Sequence, residues 1–114
     1  MLRAGHKHKA SDAFLHDIVG LIVQYYRPTK IYLFGSRAKG TQRSDSDFDL
    51  LVLVEKKASF SKEQEFYRAR WDASLTRPVD LVVWTEKGFN ELLAVKTSLP
   101  YTISREGKLL YEAA

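Results

Sequence analysis

Three aspartates stand where an ordinary strand would carry apolar side chains: Asp47 and Asp49, separated by Phe48, and Asp80 in Val79-Asp80-Leu81-Val82. On a strand, residues two apart project from one face with their roots about 6 to 7 Å apart. Like charges held that close repel, and a hard divalent cation relieves the repulsion. Mg²⁺ suits the role, since it is held by one or two carboxylates together with substrate phosphates. A third carboxylate on a neighbouring strand would complete a site for two metals about 3.5 to 4 Å apart, the arrangement suited to in-line phosphoryl displacement. Phe48 and Leu50 then point the other way, into a core.

The complementary half lies upstream. Gly35-Ser36 closes an apolar segment, and Arg37, Lys39 and Arg43 follow with no acid before Asp45. Glycine at a strand end lets backbone N–H groups approach an anion, the serine hydroxyl adds a donor, and a following helical turn would aim its positive end at phosphate. Arg37 is the best candidate for a phosphate clamp because a guanidinium binds with two prongs; Lys39 and Arg43 are weaker candidates, and a solvated loop is the alternative for all three. Taken singly, Asp45, Ser46 and Asp47 read as turn residues, and Asp80 as a cap or a partner of Arg77. Their conjunction with the glycine-serine bend points to a nucleoside triphosphate site.

A Walker A loop must be considered, because Gly35-Ser36-Arg37-Ala38-Lys39-Gly40-Thr41 spaces its glycines correctly. The motif needs Lys and then Ser or Thr after the second glycine, whereas Thr41-Gln42 follow, and no GxGxxG occurs. P-loop and Rossmann readings are set aside.

The elements that must position these residues are legible around them. Ser11 caps an expected first helix from Asp12 to Tyr26, with Phe14, Ile18, Leu21, Ile22 and Tyr25 at helical spacing, and Pro28 forbids continuation. Lys30 to Phe34 reads as a strand running into Gly35-Ser36, and a second strand begins near Asp47 and continues to Val54. Ser61 with Gln64 forms a capping box for a helix from Lys62 to about Leu75, whose stripe of Phe66, Ala69 and Ala73 beside Tyr67 and Trp71 should bury. After Pro78, Val79 to Trp84 is a third strand; Thr85 caps a helix carrying Phe89, Leu92, Leu93 and Val95 that should stop before Pro100. Tyr101 to Tyr111 reads as two extended pieces around a Glu106-Gly107 turn. The expected class is α/β (α+β), a small mixed sheet with helices packed on one side.

Composition sets the bounds. The chain has 114 residues, 45% apolar and 28% charged, which fits one soluble domain, expected over residues 11–114. Of 18 basic residues, Arg3, Lys7 and Lys9 fall in the first ten without any carboxylate, leaving 15 cations against 14 anions in the body. Residues 1–10 are therefore expected to form a flexible basic tail, and nucleic acid is not expected as a direct substrate. The longest apolar run, Leu50 to Val54, is five residues, far below the roughly 20 of a membrane span. No signal-peptide pattern opens the chain, and the absence of cysteine removes disulfides, thiolate zinc sites and cysteine nucleophiles together. A cytoplasmic location is expected.

Gly35-Ser36, ten residues, then Asp47-Phe48-Asp49 resembles the GS-x10-DxD signature of the polymerase-β-like nucleotidyltransferase superfamily. Gly35 to Gly40 together with Ser46 to Val52 resembles its minimal nucleotidyltransferase (MNT) branch, whose MntA-like members are antitoxins of HEPN/MNT pairs. The resemblance extends over most of the chain, through Pro78 to Val82 and the closing Arg105 to Tyr111 segment. It implies the polymerase-β-like fold, with Gly35 and Ser36 holding the triphosphate of ATP or another NTP, and Asp47 and Asp49 binding Mg²⁺, two ions in all. Asp80 would bind metal or activate the attacking hydroxyl. It further implies transfer of a nucleoside monophosphate, AMP or another, with pyrophosphate leaving, and a helical HEPN toxin as partner and acceptor. At this size the extra helical domain with which larger relatives enclose an acceptor is not expected in this chain, and another subunit is expected to supply it.

The remaining candidates are weaker. His6 and His8 flank Lys7 in the expected tail and His16 lies on the first helix; all three read as surface residues rather than ligands. Tyr67, Trp71 and Trp84 could stack on a base, but aromatics on an amphipathic helix or buried strand read first as core. Two other functions stay open: a non-catalytic antitoxin that binds its partner stoichiometrically, and an aminoglycoside-type enzyme modifying a small molecule.

Overall fold

The computed structural model describes residues 10–41 and 47–114, and the expected basic tail lies, Ala10 excepted, outside the described residues. Helix α1 (Ala10–Tyr26) leads through Pro28 into strand β1 (Lys30–Phe34), whose limits are those read from its β-branched and aromatic run. The one-turn helix α2 (Ser36–Lys39) follows, closed by Gly40 in the left-handed conformation at φ 77°. Next come strand β2 (Phe48–Val54), helix α3 (Phe60–Asp72), strand β3 (Val79–Thr85), helices α4 (Glu86–Glu91) and α5 (Leu99–Glu106), and strand β4 (Lys108–Glu112).

The four strands form one mixed sheet in the order β3-β2-β1-β4. β1 is antiparallel to both β2 and β4, whereas β2 and β3 run parallel, joined by the crossover through α3. Strand alternation divides the core in two. Ile31, Leu33, Phe48, Leu50, Val52 and Val54 face α1 and α3, where they meet Leu15, Ile18, Ile22 and Phe66. Tyr32, Phe34, Leu51, Leu53, Val82 and Trp84 face the other way, against Phe89 of α4 and Leu99 and Ile103 of α5. Helices therefore cover both faces, which corrects the expectation of helices on one side. β2 is central and buried on both faces, so it reads as an unbroken apolar run beyond Asp49.

Local chemistry explains the other departures. α1 begins by Ala10, so Ser11 lies within the helix rather than capping it. The cap of α3 is Ser59, whose Oγ accepts from the Lys62 N–H at 3.3 Å, two residues ahead of the expected Ser61. Phe66 is the member of the α3 stripe that buries, edge-on to Tyr26 at 5.3 Å; Tyr67 and Trp71 stay 51% and 74% exposed. Thr85 caps α4 as expected, but the helix ends at Glu91 and leaves Leu93 and Val95 exposed. Pro100 does not follow a helix; it opens one, in the first turn of α5 behind the Ser98 cap, where its missing N–H needs no partner. The expected extended piece from Tyr101 is thus helical, and β4 alone is extended. Among the described residues no helix is long and apolar enough to cross a membrane.

Candidate active site

Antiparallel pairing of β1 with β2 and parallel pairing of β2 with β3 bring three points of the sequence to one end of the sheet: the exit of β1 and the entries of β2 and β3. Asp49, the second residue of β2, lies beside Phe34 on one flank and Asp80, the second residue of β3, on the other. Asp47 immediately precedes β2 and is exposed, as is Asp80, while Asp49 is half-buried. Asp49 and Asp80 share the sheet face of Leu51, Leu53 and Val82; Phe48 and Leu50, 2% and 0% exposed, occupy the opposite face. Burial pushes the Asp49 carboxyl above the ordinary carboxylate range, and the charges of Asp80 and then Asp47 push it the same way.

The glycine-serine bend adjoins this group. Gly35 has φ 75° and ψ −156°, a backbone region open essentially to glycine alone. A Cβ there would lie 2.3 Å from Asp49 Oδ2, so the bare glycine lets the bend close onto the carboxylate. The Gly35 carbonyl accepts from the N–H groups of Ala38 and Lys39, and the Ser36 carbonyl accepts from the Thr41 N–H at 3.0 Å, which winds Ser36–Lys39 into its single turn. Ser36 thus stands first in a tight turn beside the aspartates.

The three basic candidates separate. Arg37 is 8% exposed, its guanidinium carbon 4.0 Å from the centroid of the Phe48 ring. Lys39 pairs with Glu106 at the end of α5, Nζ to Oε1 3.0 Å. Arg43 lies outside the described residues, as do His6 and His8. His16 is on the exposed side of α1, and Trp84 packs half-buried between α4, α5 and the sheet. Sequence reasoning missed that Arg77, next to Pro78, also lies over the Phe48 ring, at 5.1 Å, with Phe14 at 5.4 Å. No periodicity signals such a contact, because it joins three separated segments. Glu106, read as part of a turn, gave no sign of its pairing with Lys39.

The donor set is three carboxylates, all hard oxygen, on the rim of a sheet rather than inside a cage. Among the described residues no three acidic or histidine side chains close around one point. Carboxylate oxygens are hard donors of the kind Mg²⁺ takes alongside waters and substrate phosphate oxygens. Asp49, whose carboxyl is pushed up first by burial and then by the charges of Asp80 and Asp47, is a carboxylate that a bound cation would favour in its ionised form.

The family model "Polymerase beta, Nucleotidyltransferase" matches residues 16–114. The chain is 33% identical over 79 residues to the Haemophilus influenzae protein named "Probable protein adenylyltransferase MntA", a stretch covering 67% of this chain and 69% of that one. Among solved structures, a toxin-antitoxin crystal structure with AMP-PNP superposes with TM-score 0.60 at 28% identity, covering 86% of this chain and 73% of that chain. A Shewanella oneidensis complex of tri-AMPylated HEPN toxin with MNT antitoxin superposes at TM-score 0.54 over 89% of this chain and 71% of that one; at 24% identity it speaks for the fold alone.

Proposed function

We propose, from the premise that this chain belongs to the polymerase-β nucleotidyltransferase family and its MntA branch, that it transfers AMP from ATP to a hydroxyl of a HEPN-type toxin and so acts as its antitoxin. In this reading the acceptor oxygen attacks the α-phosphorus, the bond to the bridging oxygen breaks, pyrophosphate leaves, and the acceptor hydroxyl gives up its proton. The observation that supports it most is the strand register that sets Asp49 beside Asp80, against the bare Gly35.

Each group has a part. Asp47 and Asp49 would hold the metal, with Asp80 completing the set and accepting the proton of the attacking hydroxyl. Bound Mg²⁺ supplies charge neutralisation on the triphosphate and favours departure of pyrophosphate. Ser36 would donate its hydroxyl to a phosphate oxygen, and the amides opening the turn add donors. The clamp role expected of Arg37 is not carried forward, since its guanidinium is packed on Phe48. Lys39 would have to leave Glu106 to serve, and Arg43 is kept as a phosphate contact on the motif alone. Catalysis is then positioning and electrostatics, the usual demand of phosphoryl transfer.

The toxin acceptor rests on relatives: a neighbour at 28% identity was solved as a toxin-antitoxin pair with AMP-PNP. ATP and Mg²⁺ are abundant in the cytoplasm, the compartment this reading requires. The test is transfer of label from α-labelled ATP to any HEPN-type protein encoded beside this gene, with Asp47→Asn and Asp49→Asn as controls. Loss of transfer in both folded variants supports the reading. Neutralisation of the toxin by the double variant in cells, with no label transferred by the unaltered chain, would replace it with stoichiometric binding.

A further inference from the structure

Phe48 stands between the paired aspartates, and on a strand its side chain must leave from the face opposite theirs. Its ring, 2% exposed, is where three segments meet: Arg37 from the turn after β1 at 4.0 Å, Arg77 from the approach to β3 at 5.1 Å, and Phe14 from α1 at 5.4 Å. Two of those segments lead to site residues, the turn to Ser36 and the approach to β3 to Asp80, while the aspartate pair flanks Phe48 itself. Arg77 is itself tied down, because its carbonyl accepts from Arg70 Nη2 at 2.6 Å.

We infer that Arg37 is a positioning residue, which through Phe48 locks the glycine-serine turn to the strand that carries Asp47 and Asp49; the inference rests on the nucleotidyltransferase reading of the site. Among the described residues Arg37 is the one charged side chain that is buried. Burying a guanidinium is costly and persists where the contact is well made, and a guanidinium over an aromatic face is such a contact. The turn therefore holds the entry of β2 from both sides: Gly35 closes on Asp49 on one face and Arg37 on Phe48 on the other. A one-residue slip of β2 would carry its aspartates to the core face, and a pinned Phe48 opposes that slip. A phosphate clamp would have to reach the face of Asp49; Arg37 reaches the opposite one.

The test uses the full chain with Arg37→Met, Arg37→Lys, Phe48→Leu and the Arg37→Met/Phe48→Leu double variant. Two affinities are measured: a fluorescent ATP analogue in EDTA, and Mn²⁺ by electron paramagnetic resonance with that analogue bound. Circular dichroism melts establish folding. Arg37→Met and Phe48→Leu should each leave metal-free nucleotide affinity within about twofold and weaken Mn²⁺ binding about 10- to 100-fold, as loss of a group supporting metal ligands does. The double variant should be no worse than the weaker single variant, because both changes break one contact. Arg37→Lys should recover part of the Mn²⁺ affinity, and it decides the question if Arg37→Met does not fold: Mn²⁺ binding equal to that of the unaltered chain overturns the inference. A tenfold loss of metal-free nucleotide affinity with Mn²⁺ binding unchanged makes Arg37 a phosphate clamp and also overturns it, as do additive losses in the double variant. If the unaltered chain binds neither analogue nor Mn²⁺, the reading of the site fails and takes the inference with it.

Discussion

Replacing Gly35 with alanine puts one methyl group at the most crowded point of the site. The new Cβ would stand 2.3 Å from Asp49 Oδ2 and 3.2 Å from its Cγ, whereas real Cβ contacts are essentially never under 3.0 Å. The carboxylate, the turn or both must therefore retreat by about 0.7 to 1 Å. The backbone makes it worse, because alanine at φ 75° and ψ −156° carries strain of about 1 to 3 kcal/mol. At roughly 4 °C per kcal/mol for a domain of this size, the melting temperature should fall by about 4 to 12 °C. Displacing a reacting group by about 1 Å costs about 100-fold in rate, near 2.7 kcal/mol of barrier. Label transfer from α-labelled ATP, assayed well below the melting temperature so that every chain is folded, should accordingly drop at least 100-fold. Adding Asp49→Ala to Gly35→Ala removes the obstructing oxygen and should return part of the lost melting temperature, with no return of transfer. A Gly35→Ala chain that transfers label within twofold of the unaltered rate would show that the close approach of bend and carboxylate is dispensable.

Asp49→Asn should stabilise the metal-free protein at neutral pH by about 0.2 to 1 kcal/mol, because it removes a carboxylate disfavoured first by burial and then by the like charges of Asp80 and Asp47. The sign follows from the raised carboxyl: the folded state holds that proton more tightly, so its contribution is full below the ordinary aspartate value of about 3.9 and is lost as pH rises through the raised one. The advantage of Asp49→Asn in denaturant midpoint should therefore shrink from pH 7 toward pH 4, and a constant difference would contradict the electrostatic origin. Saturating Mg²⁺ with nucleotide should raise the melting temperature of the unaltered chain and leave that of Asp49→Asn nearly unmoved. Phe66→Ala, which empties the contact of α3 with Tyr25 and Tyr26, should cost about 3 to 5 kcal/mol in urea unfolding; a loss below 1 kcal/mol would mean α3 is not held to α1 by this ring.

What the sequence discloses depends on how local the cause is. β1 was legible to the residue because its β-branched and aromatic run lies between Pro28 and Gly35, two residues that end strands for backbone reasons. Asp49 and Asp80 were legible as charges in apolar runs, and the parallel crossover through α3 brings them side by side. α5 was not legible, because Pro100 serves equally to end a helix or to open one, and the Ser98 cap that decides is a matter of hydrogen bonding. Periodicity placed Tyr67 and Trp71 on an apolar stripe, but α3 meets α1 along a narrower line through Phe66. Arg37 shows the same limit at the site. Its type and place beside Ser36 suggest phosphate, while its burial over Phe48 depends on how the turn folds against a strand residue eleven positions on.

Carboxylates on two parallel strands, facing a glycine-serine bend, are proposed to move a nucleotide onto a protein hydroxyl. The most direct measurement is the intact mass of a HEPN-type toxin encoded beside this chain, after incubation with it, Mg²⁺ and each of the four nucleoside triphosphates in turn. With ATP the toxin should gain one or more AMP groups, and with the Asp47→Asn/Asp49→Asn chain none. An unmodified toxin with every nucleotide, or equal modification by the double variant, would contradict this reading.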